Sequence, residues 1–204
     1  MNWNKEELNF LQNMNEPIKI QSFLNSVDYN PDAACRSPRW VIKKRSAHCF
    51  EGALFAAACL QQLGYKPLLV DLKAFNDDDH VIAVYQKGNL WGAIAKSNFT
   101  TLRFREPVYR SLRELAMSYY DFYFNILGDL SLRSYSKPLN LSPYNKKNWT
   151  ITDDDLEYIG DKLEILPHFP VIPNSVIPQL NKVDSKLLEA SLIGSNKEGL
   201  YVPE

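Results

Sequence analysis

Between Ser46 and Gly64 the chain reads SAHCFEGALFAAACLQQLG, with no Lys or Arg and with Glu51 as its only formal charge. Ser46 suits an N-cap and Gly64 a stop just past the last turn, which frames a helix of about 17 residues. Apolar residues lie nearly all round it, so it must be buried on most sides. Gly52, Ala53, Ala56, Ala57 and Ala58 keep its surface small, which lets a sheet or a second helix approach closely. A chain with such a helix has to supply apolar layers around it. With 204 residues, 45% of them hydrophobic, this one can. The length fits a single domain.

Other classes are excluded by what is missing. The net charge of −1 removes whole-chain electrostatics as a route to nucleic acid. The 8 glycines include no pair spaced G-x-G, so no phosphate cradle of that type is present and no cofactor is expected. No apolar run approaches the ~20 residues that cross a bilayer, so no membrane partner is expected. The N-terminal MNWNKEELNFLQNMNEP lacks the apolar stretch of a secretory leader. Cys35, Cys49 and Cys59 cannot all pair and form no CxxC, which predicts free thiols and a cytoplasmic location.

Helical spacing of apolar residues predicts helices over 5–12 and 17–27, the second with Pro17 in its first turn. Residues 28–38 read as loop. Strand-like runs cover 67–74, 80–86 and 90–97, the last two joined by the hairpin signal Lys87-Gly88-Asn89. VIAVY lacks polar alternation, which predicts a strand covered on both faces. A helix is expected over 111–125, opened by Ser111 and Glu114 as a capping box. From residue 129 the texture changes, and seven of the 12 prolines lie at or beyond Pro138. The division expected is a helical and sheet core over 1–128 and an irregular C-terminal extension over 129–204 that wraps it, with short helices at 153–164 and 185–193. The fold class is α+β, a Cys-bearing helix packed on an antiparallel sheet.

Cys49 stands in the first turn of the apolar helix, where free N–H groups and the positive dipole end favour a thiolate. His80 begins a buried strand 31 residues on. A cysteine nucleophile needs a base within hydrogen-bond reach, and the base needs an orienting partner. The stretches HCFEGALFAAACLQQLGY, DDDHVIAVY and GNLWGAIAKSNF, spanning Ser46 to Phe99, resemble the transglutaminase-like branch of the papain-like cysteine enzymes. In that family a Cys opens the central helix, a His starts a strand and an acid follows on the next strand of the hairpin. The resemblance implies a transglutaminase-like core and an acyltransferase or hydrolase acting on a peptide or amide substrate through a thioester on Cys49, with His80 as base and no cofactor or metal. An adjacent imidazolium would lower the thiol pKa further.

Residues 92–98 contain no acid, so the family's third member has no direct counterpart. If Gly88-Asn89 form the turn, position i pairs with 177 − i and His80 faces Ser97. If Lys87-Gly88 form it, Ser97 is the diagonal neighbour. Parity keeps Ser97 on the face of His80 in both registers. Asn98 reaches that face only through a bulge, though its carbonyl is the better orienter of an imidazole. Ser97 ranks first and Asn98 second. A neutral third member also admits a catalytically weak or inactive domain that uses its cleft to bind a partner. Cys59, His48 and His168 read as structural, and Asp77-Asp78-Asp79 as a solvated turn without calcium-loop or zinc spacing. The Arg and Lys clusters around 36–45 and 103–113 read as surface ion pairs, and SYYDFYF as core packing.

Overall fold

The computed structural model describes residues 3–203. Helices α1 (Lys5–Gln12) and α2 (Pro17–Ser26) come first, then the two-residue strand β1 (Asp28–Tyr29). Helix α3 (Pro38–Lys44), strand β2 (Ser46–Ala47) and the apolar helix α4 (Cys49–Gln62) follow. Then come β3 (Leu68–Ala74), β4 (His80–Lys87), β5 (Leu90–Ile94), β6 (Arg105–Tyr109) and α5 (Leu112–Tyr120). The remainder carries β7 (Leu132–Ser136), β8 (Leu139–Asn140), α6 (Glu157–Glu164), β9 (His168–Pro170) and α7 (Ser185–Ser191).

The main sheet runs β6-β5-β4-β3-β7-β9, and every pair in it is antiparallel. Strand β8 pairs with the start of β3, beyond the stretch that β7 covers. The fold is therefore α+β, with helices packed on an antiparallel sheet. Residues 129–204 do not only wrap a finished core. Strands β7, β8 and β9 extend the sheet past β3: Leu132 joins the core half that α5 covers, Leu139 joins the half that α4 covers, and the buried Ser136 hydroxyl accepts the Asp71 N–H at 2.9 Å.

Alternation along the central strands splits the core in two. Leu69, Val81, Ala83, Tyr85 and Ile94 face α1, α2 and α4, whereas Val70, Leu72, Ile82, Val84 and Ala93 face α5 and the later segments. This is why VIAVY carries no polar residues: both faces of β4 are covered. From Phe50 to Leu60 every residue of α4 is buried. Gly52 is required at the point of closest approach. A Cβ there would lie 2.3 Å from the Cβ of Lys96.

Ends and boundaries follow local chemistry. Helix α4 begins later than Ser46 implies. Ser46 and Ala47 pair in parallel with Asp28 and Tyr29, and His48 is the N-cap. Cys49 is consequently the first helical residue. Gly64, at φ 86°, turns the chain off the helix in the left-handed region that glycine tolerates. The β4–β5 register is Lys87↔Leu90 through Ala83↔Ile94, so Gly88-Asn89 form the turn. The ladder stops at Ile94 because the side chain of Gln21 takes both backbone groups of Ala95. The Ala95 N–H donates to Gln21 Oε1 at 3.0 Å, and Gln21 Nε2 donates to the Ala95 carbonyl at 2.9 Å. Next to it, buried Lys96 donates to the Leu24 and Val27 carbonyls at the C-terminal end of α2, where the helix dipole favours a cation.

Candidate active site

One cavity of about 360 Å³ opens at the N-terminal ends of α4 and β4, and Cys49, His80, Ser97 and Asn98 all line it. The parallel pairing of β1 with β2 draws the 28–36 loop against the start of α4 and places Tyr29 on the cavity wall. Glu51, fully buried in the first turn of α4, holds that loop. It accepts from Asn30 Nδ2 at 3.0 Å and from the backbone N–H groups of His48 and Arg36 at 3.1 and 3.3 Å. Glu51 is thus an anchor for the cavity wall. Its place as the lone charge in an apolar helix was the signal in the sequence.

Cys49 is half-buried and its thiol donates to the Asp79 carbonyl, with sulfur and oxygen 3.8 Å apart. The sulfur therefore lies against the backbone just before His80. Burial pushes the thiol up to about 12, and the surrounding carboxylates Asp78 and Asp71 act in the same direction. The backbone N–H of Val81 opposes them.

The His80 ring is buried on the other face of the sheet, edge-on to Tyr119 and Tyr123 with ring centres 6.5 and 6.4 Å away. Nε2 lies 2.8 Å from the Leu102 carbonyl. A carbonyl only accepts, so the proton of the neutral ring sits on Nε2 and Nδ1 carries the lone pair. Burial pulls the imidazole down to about 4, and the Arg105 guanidinium, stacked 3.9 Å over Tyr119, adds to the fall. The resting site holds a neutral thiol and a neutral imidazole, not the ion pair that an adjacent imidazolium would create. Each is hydrogen-bonded to a different main-chain carbonyl, and among the described residues no hydrogen bond links the two.

The third position also differs from the parity argument. Ser97 lines the cavity, but its hydroxyl accepts the Phe99 N–H at 3.0 Å, and the ring of His80 bonds the Leu102 carbonyl instead. The reason is the early end of the ladder: with Ala95 bonded to Gln21, strand parity no longer carries as far as residue 97. Asn98 is buried, and its amide is spent on the segment near residue 200. It donates to the Asn196 and Gly199 carbonyls at 2.8 and 2.9 Å and accepts the Asn196 N–H at 2.7 Å.

Asp77, Asp78 and Asp79 border the cavity as a braced turn. Asp79 accepts from the Ala74 N–H at 2.8 Å and pairs with Lys73 at 3.1 Å. Asp77 accepts from Ser131 Oγ at 2.6 Å, and burial pushes it up to about 6. Asp78 is exposed. Tyr123 donates to the Leu72 and Asp78 carbonyls and so ties this turn to the sheet. Cys59 is 1% exposed in the body of α4. His48 donates from Nε2 to the Ala34 carbonyl at 3.2 Å, and His168 sits beside Ser134 and Asp71, away from the cavity. Among the described residues no group of three or more His, Cys, Asp or Glu is placed to hold a metal ion, and no helix is long and apolar enough to cross a membrane.

Leu102 was invisible to sequence reasoning because it acts through a carbonyl that every residue has. Tyr29 and residues 198–201 were placed in a loop and in the tail, with no signal that they would meet Cys49. Compared with protein-family models and with curated proteins, the chain has no match in either.

Proposed function

We propose that this protein is a transglutaminase-like cysteine enzyme that transfers or hydrolyses an acyl group of an amide or peptide through a thioester on Cys49. What supports the reading is one observation: a half-buried thiol at the first residue of a buried helix and a buried imidazole with its lone pair on Nδ1 line the same 360 Å³ cavity. The Leu102 carbonyl is the orienter of His80 in this scheme, in the role given to Asn or Asp in other cysteine enzymes.

In this scheme the thiol first leaves the Asp79 carbonyl and turns toward His80 through the cavity that both line at the N-terminal end of β4, since the two side chains pack on different faces of the sheet. His80 Nδ1 then takes its proton as sulfur attacks the substrate carbonyl carbon, and the oxyanion is held by free N–H groups at the start of α4. Collapse of the tetrahedral intermediate breaks the C–N bond, and the leaving amine takes the proton from His80. Water or a second amine, deprotonated by the same Nδ1, resolves the thioester. Because the resting groups are both neutral, proton transfer accompanies attack.

A second reading is that the domain binds a partner in its cleft without turnover. It is favoured by the separate carbonyl partners of Cys49 and His80, which leave the thiol without an activating bond at rest.

p-Nitrophenyl acetate, an activated acyl donor, separates the two. The enzyme reading predicts acetylation of Cys49, turnover, loss of both in Cys49→Ala, and roughly a hundredfold slower acylation in His80→Gln. Acetylation at the same rate in wild type and His80→Gln, without turnover, overturns it in favour of the binding module.

A further inference from the structure

Part of the wall of the cavity is made by the chain's own segment Glu198–Tyr201. Two groups on the body of the protein hold it, and they read it in a specific way. The buried Asn98 amide uses both its NH2 and its carbonyl, making the three hydrogen bonds to Asn196 and Gly199 described above. The Tyr29 carbonyl accepts from Asn196 Nδ2 at 3.2 Å. Asn196 also caps the turn that follows, its Oδ1 accepting the Glu198 N–H at 3.0 Å.

The Tyr29 ring reads residue 199 by size. A Cβ built on Gly199 would lie 2.6 Å from Cε1 and 2.7 Å from Cδ1 of that ring, closer than side-chain carbons approach one another. Two of the residues are therefore selected by identity, Asn196 by its amide and Gly199 by its lack of a side chain. Lys197 and Glu198 sit between them in a single 3-10 turn, Lys197–Gly199.

We propose that Tyr29 and Asn98 form a peptide-binding subsite at the mouth of the Cys49 cavity, selective for a turn of the form Asn-x-x-Gly, and that residues 196–201 of this chain occupy it and restrict access to Cys49. The subsite binds main chain through the Asn98 amide and excludes a Cβ at the glycine, so a peptide turn of that form is the class of ligand that competes with the segment. The proposal concerns access to the cavity and does not depend on acyl chemistry at Cys49.

The test reads alkylation of Cys49 by iodoacetamide in the full-length protein, which requires no turnover. Gly199→Val drives a branched side chain into the Tyr29 ring, and Asn196→Ala removes the two bonds of the Asn196 side chain. Both variants should raise the Cys49 alkylation rate, Gly199→Val by about tenfold or more. A synthetic peptide of residues 194–203 added to the Gly199→Val protein should restore the slow rate. The same peptide carrying the Gly199→Val change should not. The proposal is overturned if both variants alkylate at the wild-type rate, or if the two peptides protect equally. A protein that passes this test and is not acetylated by p-nitrophenyl acetate keeps the subsite and loses the enzyme reading, so the two failures are distinct.

Discussion

Replacing His80 with glutamine keeps an N–H donor for the Leu102 carbonyl and removes the titrating ring. In the folded protein burial holds this imidazole at about 4, against an ordinary value near 6.5. The folded-state pKa is depressed, so the unfolded chain binds the proton first as pH falls. Stability from the neutral buried ring is complete above about pH 6.5 and is lost progressively toward about pH 4. Between about pH 7.5 and about pH 4.5 the loss works out at about 2–3 kcal/mol for one group. Asp71 and Asp77, pushed up to about 7 and about 6 by burial, act in the opposite sense, since they gain protons in the folded state as pH falls. They are present in both proteins and cancel in the comparison. Urea unfolding of wild type and His80→Gln at both pH values measures the double difference. Wild type should lose about 2–3 kcal/mol more than the variant on acidification. Equal losses would refute the argument that the ring is buried uncharged, and with it the neutral resting site.

Three other outcomes are expected. Alkylation of wild-type Cys49 should climb about tenfold per pH unit from about pH 6 to about pH 9 without a plateau, because burial holds the thiol at about 12; a rate already flat near neutrality would mean a thiolate–imidazolium pair. In that experiment mass mapping should find Cys49 modified well before Cys59, which is 1% exposed, and preferential labelling of Cys59 would remove the site. Gly52→Ala should destabilise by about 1–3 kcal/mol despite the better helix propensity of alanine, since its Cβ would fall 2.3 Å from Lys96 Cβ. An unchanged urea midpoint would show that α2 and the Lys96 segment yield at no cost.

Several features were legible because they are written in side-chain type and spacing. A helix with one charge had to be central, and from Phe50 to Leu60 it is buried throughout. The run VIAVY had to be a strand covered on both faces, and it divides the two halves of the core. A hairpin turn within Lys87-Gly88-Asn89 and the Ser111 cap, whose hydroxyl accepts the Glu114 N–H, follow from local rules of the same kind, while the register Lys87↔Leu90 that selects Gly88-Asn89 is seen only in the fold. Helix α3 was not read from WVIKKR, because seven residues give too few turns for a periodic signal. The extension reads as a wrap in the sequence because its prolines mask the short strands between them.

Residue type by itself determined that a small-surfaced apolar helix opening on Cys49 would pack against a hairpin opening on His80, because burial of an uncharged surface is a property of composition and period. Tertiary structure alone decided how those two residues stand. A main-chain carbonyl looks the same at Leu102 as anywhere else, so the partner of His80 is set by where the chain passes. The end of the β4–β5 ladder is set by Gln21, 74 residues from Ala95. Whether the thiol and the imidazole rest charged or neutral depends on desolvation, and desolvation depends on what distant segments, including residues 196–201, lay over them.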